Sequence, residues 1–127
     1  MINIVTTAPE KEILDRIGRA LLEKRLVACL QILGPIRSLY WWKGRLEEAD
    51  EWLGIMKTRQ DLYEEVEKEI KALHPYEVPQ IEAFEAWAAL PAYGRWVRDE
   101  TGGKRDAGKK KSTRSGSAAR EAGKEKK

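Results

Sequence analysis

The sequence predicts an α+β fold, one antiparallel sheet with two helices packed on one of its faces. Three observations predict it. Two apolar stripes at helical spacing, Ile13-Leu14-Ile17-Leu21 and Leu62-Val66-Ile70-Leu73, are separated from one another by runs of alternating or β-branched residues. Lys43-Gly44 stands between two such runs as a hairpin signal. A chain of 127 residues holds one domain of ordinary size.

The elements follow in order. Ile2–Thr7 reads as a strand, with Ile2, Ile4 and Thr6 on one face. Pro9 suits the first position of a helix, where a missing N–H costs nothing. That helix turns Ile13, Leu14, Ile17 and Leu21 inward and Glu12, Arg16, Arg19 and Glu23 to water. Val27–Leu33 is a short apolar run ended by Gly34-Pro35, which marks a break or bulge. Ile36–Trp42 is a further strand, and after Lys43-Gly44 the return strand starts near Glu48 and runs to about Thr58. Thr58-Arg59-Gln60-Asp61 resembles a capping box ahead of the second helix, which Pro75 stops. Tyr76–Pro79 is extended, because residues before proline avoid the α region. Gln80–Ala86 is the last strand, with Pro79 placing it at an edge, and Pro91–Arg98 a short terminal helix.

The order is β-α-β-β-α-β with a helix appended. Right-handed crossovers turn that order into a split βαβ, ferredoxin-like sandwich. Both helices then lie on one face, and the other face is either solvated or covered by further subunits. Trp41, Trp42, Trp52, Trp87 and Trp96 are more indole than a core of this size needs, so some are expected to bury against another subunit.

Charge divides the chain. Residues 1–103 carry fourteen Lys/Arg against eighteen Asp/Glu, a balance of −4, and residues 104–127 carry ten against three, a balance of +7. The net +3 therefore belongs to the tail. The reading is a folded domain over 1–103 and a disordered, solvated basic tail over 104–127, able to attract polyanions weakly. A specific nucleic-acid module is not expected: the first strand has no aromatic residue, and the basic-Gly-aromatic string of RNA-binding sheets is missing. No apolar run approaches the roughly 20 residues that span a bilayer. The N-terminus has no signal-peptide pattern, and the single cysteine forms no disulfide framework. The expected location is cytoplasmic.

Four strings occur in sequence: Val27-Ala28-Cys29, Ser38-Leu39-Tyr40-Trp41-Trp42-Lys43-Gly44, Met56-Lys57-Thr58-Arg59 and Leu73-His74-Pro75-Tyr76-Glu77-Val78-Pro79. Together they resemble the CutA family, the divalent-cation tolerance proteins, over about residues 1–101. One departure is Leu30-Gln31, where the family commonly has Val-Asn. The resemblance implies a ferredoxin-like subunit in a homotrimer, similar in architecture to the PII signalling proteins. It also implies divalent-metal binding, copper above all, with Cys29 and His74 as the positions to carry over.

The residues themselves allow more than one role. Cys29 lies in a core-like run, where a free cysteine packs as a small hydrophobe. His74 closes a helix, where its charge complements the dipole, with Glu77 as a carboxylate partner. Lys57 and Arg59 precede a helix N-terminus and form a candidate anion site, with Tyr76 and Glu77 lining the same cleft. The alternative for Lys57 is an ion pair with Glu77 or Glu82, and for Tyr76 a hydrogen-bonded core phenol. Glu47, Glu48, Asp50 and Glu51 read as a solvated acidic strand start without the spacing of a calcium loop. No nucleophile, base and orienting group can be assembled, and no nucleotide loop is present, so an enzyme is not expected. Two functions remain. The first is a homotrimeric divalent-metal-binding protein of cation tolerance, with Cu(II) as the metal. The alternative is a PII-like trimeric sensor that holds a small anion in intersubunit clefts.

Overall fold

The computed structural model describes residues 1–102; the basic tail read at 104–127 lies outside the described residues. The elements are β1 (Ile2–Ala8), α1 (Lys11–Glu23), β2 (Cys29–Trp42), β3 (Arg45–Thr58), α2 (Tyr63–Leu73), β4 (Ile81–Glu85) and α3 (Pro91–Glu100), with a 3-10 turn at Gln60–Leu62 before α2. The sheet order is β2-β3-β1-β4, antiparallel throughout. This is the order the split βαβ reading requires. The core lies between the sheet and the two long helices. Ile2 and Ile4 of β1 and Met56 of β3 meet Ile17 and Leu21 of α1 and Val66 and Ile70 of α2.

Five local expectations change. Of the break or bulge expected at Gly34-Pro35 the bulge forms, between Leu33 and Ile36 with a cis peptide bond at Gly34–Pro35, so β2 runs through it as one strand and Ile36–Trp42 is not a separate one. β3 begins at Arg45 rather than Glu48, because Lys43 and Gly44 both take positive φ and make a two-residue turn that pairs Trp42 with Arg45. Pro9 precedes α1 instead of opening it; Glu10 is the extended N-cap, and its carbonyl accepts the Ile13 N–H. Thr58 is no helix cap. Its buried hydroxyl donates to the Leu26 carbonyl at 2.6 Å, and α2 starts five residues later. Residues 75–78 form a series of bends rather than an extended run.

The appended helix α3 is held by its own contacts. Val97 and Thr101 are buried, Arg25 Nη1 lies 3.0 Å from Glu100 Oε1, and the Gly102 N–H donates to the Arg25 carbonyl. The rest of the surface carries much bare apolar area. Trp41 and Leu46 are opposite one another on the hairpin and both exposed, Leu33 and Phe84 are exposed in β2 and β4, and Trp87 is 97% exposed. The surplus of tryptophan therefore stands largely outside the single-chain core.

Candidate functional site

A cleft of about 800 Å³ opens between the β2–β3 hairpin and the segment that follows α2. Its walls are residues 37–40 and Trp42 of β2, Glu51 of β3, Thr7 near the end of β1, and Pro75–Val78 with Gln80. The sequence positions it this way because Pro75 ends α2 and the chain must return to the edge strand β4, passing over the far end of the sheet.

His74 is the C-cap of α2 and only 8% exposed. Its Nδ1 accepts the Tyr76 backbone N–H at 3.1 Å, so Nε2 carries the proton and donates to the Thr7 carbonyl at 2.6 Å. Both ring nitrogens are thus used within the chain, and the expected pairing with Glu77 does not form. Glu77 instead lies 3.7 Å from Lys43 Nζ at the hairpin tip. The Tyr76 ring packs on His74 with centroids 4.8 Å apart, and its hydroxyl donates to Glu51 Oε2 at 2.7 Å. Burial first, then that bond to the Glu51 carboxylate, pushes the Tyr76 phenol well above the ordinary tyrosine value.

The residues read as one cleft divide into two groups. Tyr76 and Glu77 line it, whereas Lys57 and Arg59 lie at the other end of β3. Lys57 donates to Gln31 Oε1 at 3.1 Å, so neither Glu77 nor Glu82 is its partner. Gln31, the residue that departs from the family's commoner Asn, fills that role. Arg59 Nε is 3.2 Å from Asp61. Cys29 is partly buried with its Sγ 3.9 Å from the Tyr93 hydroxyl.

Cys29 and His74 do not converge in one chain. Cys29 pairs with Lys57, while Thr7, which holds His74, pairs with Leu53. Four residues along β3 separate the two by about 13 Å. Among the described residues no group of three or more His, Cys, Asp and Glu side chains stands close enough to hold a metal ion. The described residues of one chain therefore do not bring together a complete transition-metal site.

Arg37, Tyr40, Trp42 and Glu51 were not read from the sequence as cleft residues. Arg37 forms an ion pair with Glu48 across the hairpin. Glu51 was grouped with a solvated acidic run; it is 5% exposed. The available signal was its place directly before the core segment Trp52–Met56.

The sequence pattern of the CutA1 divalent ion tolerance protein family matches residues 2–100. The Pyrococcus horikoshii divalent-cation tolerance protein CutA is 42% identical over 101 residues, 80% of this chain and 98% of that one. The Thermus thermophilus divalent cation tolerance protein superposes with a TM-score of 0.77 at 36% identity, covering 80% of this chain and all of that chain. A structure from Archaeoglobus fulgidus, described as a periplasmic divalent cation tolerance protein CutA, gives 0.73 at 43% identity, covering 76% and 95%. Four strings, one sheet order and these alignments agree, and the chain belongs to the CutA1 divalent ion tolerance protein family.

Proposed function

We propose that this chain acts in cation tolerance as a homotrimeric divalent-cation-binding protein, with Cu(II) as its ion and His74 and Cys29 as its nitrogen and sulfur ligands. It is a binding protein in this reading and not an enzyme. Membership of the divalent ion tolerance family supports the cation, and the observation that carries the assembly is the apolar surface one copy leaves bare: Trp41 with Leu46, Leu33, Phe84 and Trp87. Such an area is characteristic of a surface that other copies cover. Because four residues of strand separate Cys29 from the residue that holds His74, a site using both draws them from different copies. Nδ1 is the nitrogen of His74 with a lone pair, so metal entry there displaces the Tyr76 N–H and moves the segment after α2.

Cytoplasmic location is part of the proposal and rests on the sequence alone, since one relative is described as periplasmic. Among the described residues no helix is long and apolar enough to cross a membrane. A second reading, the PII-like sensor of a small anion, is favoured by the cleft itself but not by its charges. Lys57 and Arg59 lie away from it, and Arg37 is already paired.

The test is a calorimetric Cu(II) titration of the metal-stripped full chain, with light scattering for the assembly mass. Saturable binding to a trimer that His74→Ala and Cys29→Ser each weaken by about tenfold or more is the expected result. Affinity unchanged in both variants overturns the ligand assignment. A monomeric mass overturns the assembly.

A further inference from the structure

We propose that the cleft between the hairpin and the segment after α2 binds an organic ammonium ion, with Glu51 as counter-ion and Tyr40, Trp42 and Tyr76 as aromatic walls. The site adjoins His74 of the metal reading through Tyr76 but does not rest on that reading.

The charges decide the class of ligand. Glu51 lines the cleft, is 5% exposed, and is bonded by the neutral phenol of Tyr76. Among the described residues no cation lies within ion-pair distance of it, whereas the two cations at the cleft face other carboxylates: Arg37 faces Glu48 and Lys43 faces Glu77. A carboxylate removed from water favours an incoming positive charge, and for the same reason opposes an anion.

The walls decide between a bare metal ion and an organic cation. A hard divalent ion takes six or more oxygen ligands, with carboxylates gathered around it, and among the described residues no three His, Cys, Asp or Glu side chains stand close enough to hold a metal ion. Rings do attract ammonium groups through the negative potential of their faces, and a nearby carboxylate adds to the attraction. The chain already makes this arrangement once. At the rim, Lys43 Nζ lies 5.5 Å from the Trp42 ring centroid and 3.7 Å from Glu77 Oε1. Deeper in, Glu51 with Tyr76 offers the same pairing of carboxylate and ring without an ammonium of the chain to fill it. The volume, about 800 Å³, is in the range of small-molecule sites and far beyond what a single ion requires.

The experiment uses the full chain with a chelator present, so that its outcome is independent of metal binding. Choline is titrated calorimetrically beside 3,3-dimethylbutan-1-ol, its uncharged isostere, and inorganic phosphate. Choline is expected to saturate, with the isostere and phosphate about tenfold weaker or more. Glu51→Gln keeps an acceptor for the Tyr76 hydroxyl and is expected to weaken choline by about tenfold; Trp42→Leu is expected to weaken it several-fold. No saturation by millimolar choline, equal binding of the isostere, preference for phosphate, or an unchanged Glu51→Gln variant each overturns the proposal. If Glu51→Gln does not fold, saturation-transfer NMR on the wild type decides. Transfer to the choline methyls that is lost in Trp42→Leu supports the site, and transfer unchanged in that variant overturns it.

Discussion

The Tyr76 hydroxyl donates to Glu51 Oε2 at 2.7 Å, joining the segment after α2 to β3 across 25 residues of sequence. This bond fixes the cleft from both sides. On one side Tyr76 is anchored through its backbone N–H to His74, whose other nitrogen holds the Thr7 carbonyl of β1. On the other, Glu51 sits in the antiparallel ladder opposite Ile36, next to the bulge of β2. Two strands and one helix end are thereby connected through three side chains.

Tyr76→Phe keeps the ring against His74 and removes the donor from a buried carboxylate. A stability loss of about 1–3 kcal/mol at neutral pH is expected from urea unfolding. The pH dependence has a definite sign. The folded-state phenol titrates above its unfolded value near 10, so between the two the unfolded chain has lost a proton that the folded chain keeps. The stabilisation is whole below about pH 10 and falls as pH rises toward the folded value. Wild type should therefore lose stability above pH 10 more steeply than Tyr76→Phe. Parallel curves would show that Tyr76 does not contribute this slope; Tyr63, also raised by burial and by Glu67, is common to both proteins.

How far the sequence carried depends on the range of the interactions involved. The helical stripes of α1 and α2 and the alternation of β1 and β4 are local periodicities, and the elements formed where those periodicities placed them. Glu51 was misread because its burial depends on Tyr76 and the loop around it, which no local pattern near Glu51 reports. Thr58 looked like a cap for a similar reason: its acceptor, the Leu26 carbonyl, is 32 residues away in sequence. The bulge allowed β2 to continue past Gly34-Pro35, a break in the pattern that neighbouring β3 bridges by pairing on both sides. Lys57 found Gln31 by strand register, two residues along β2 from its own partner Cys29.

The hairpin offers a direct test of assembly. Trp41 is 74% exposed and stands opposite Leu46, also exposed, so the two form one apolar patch near the turn. Replacing them together by Trp41→Glu and Leu46→Lys puts opposite charges on a cross-strand pair, which preserves the hairpin while making the patch polar. If copies associate through this patch, the mass by light scattering falls from trimer to monomer and the far-ultraviolet circular dichroism stays the same. An unchanged trimer excludes the patch from the interface.

Gly18 sets how closely α1 approaches β2, and two opposed effects meet there. Alanine is about 1 kcal/mol better than glycine in a helix interior. A Cβ at residue 18, however, would run into Leu30 Cδ2 and come within 3.1 Å of its Cγ and 3.2 Å of its Cβ. The methyl and the Cγ could swing away only by changing the Leu30 rotamer, and the Cβ cannot move without shifting the strand. Overpacking of this kind costs about 1–3 kcal/mol, so the clash should win and Gly18→Ala should lower the urea midpoint. The pair with Leu30→Ala makes the cause readable. In that background the clash with the Cγ is gone, and Gly18→Ala should become neutral or stabilising, a coupling visible in a double-mutant cycle. Gly18→Ala raising stability in the wild-type background would mean that helix and strand separate freely at this contact, and that glycine is not what brings them together.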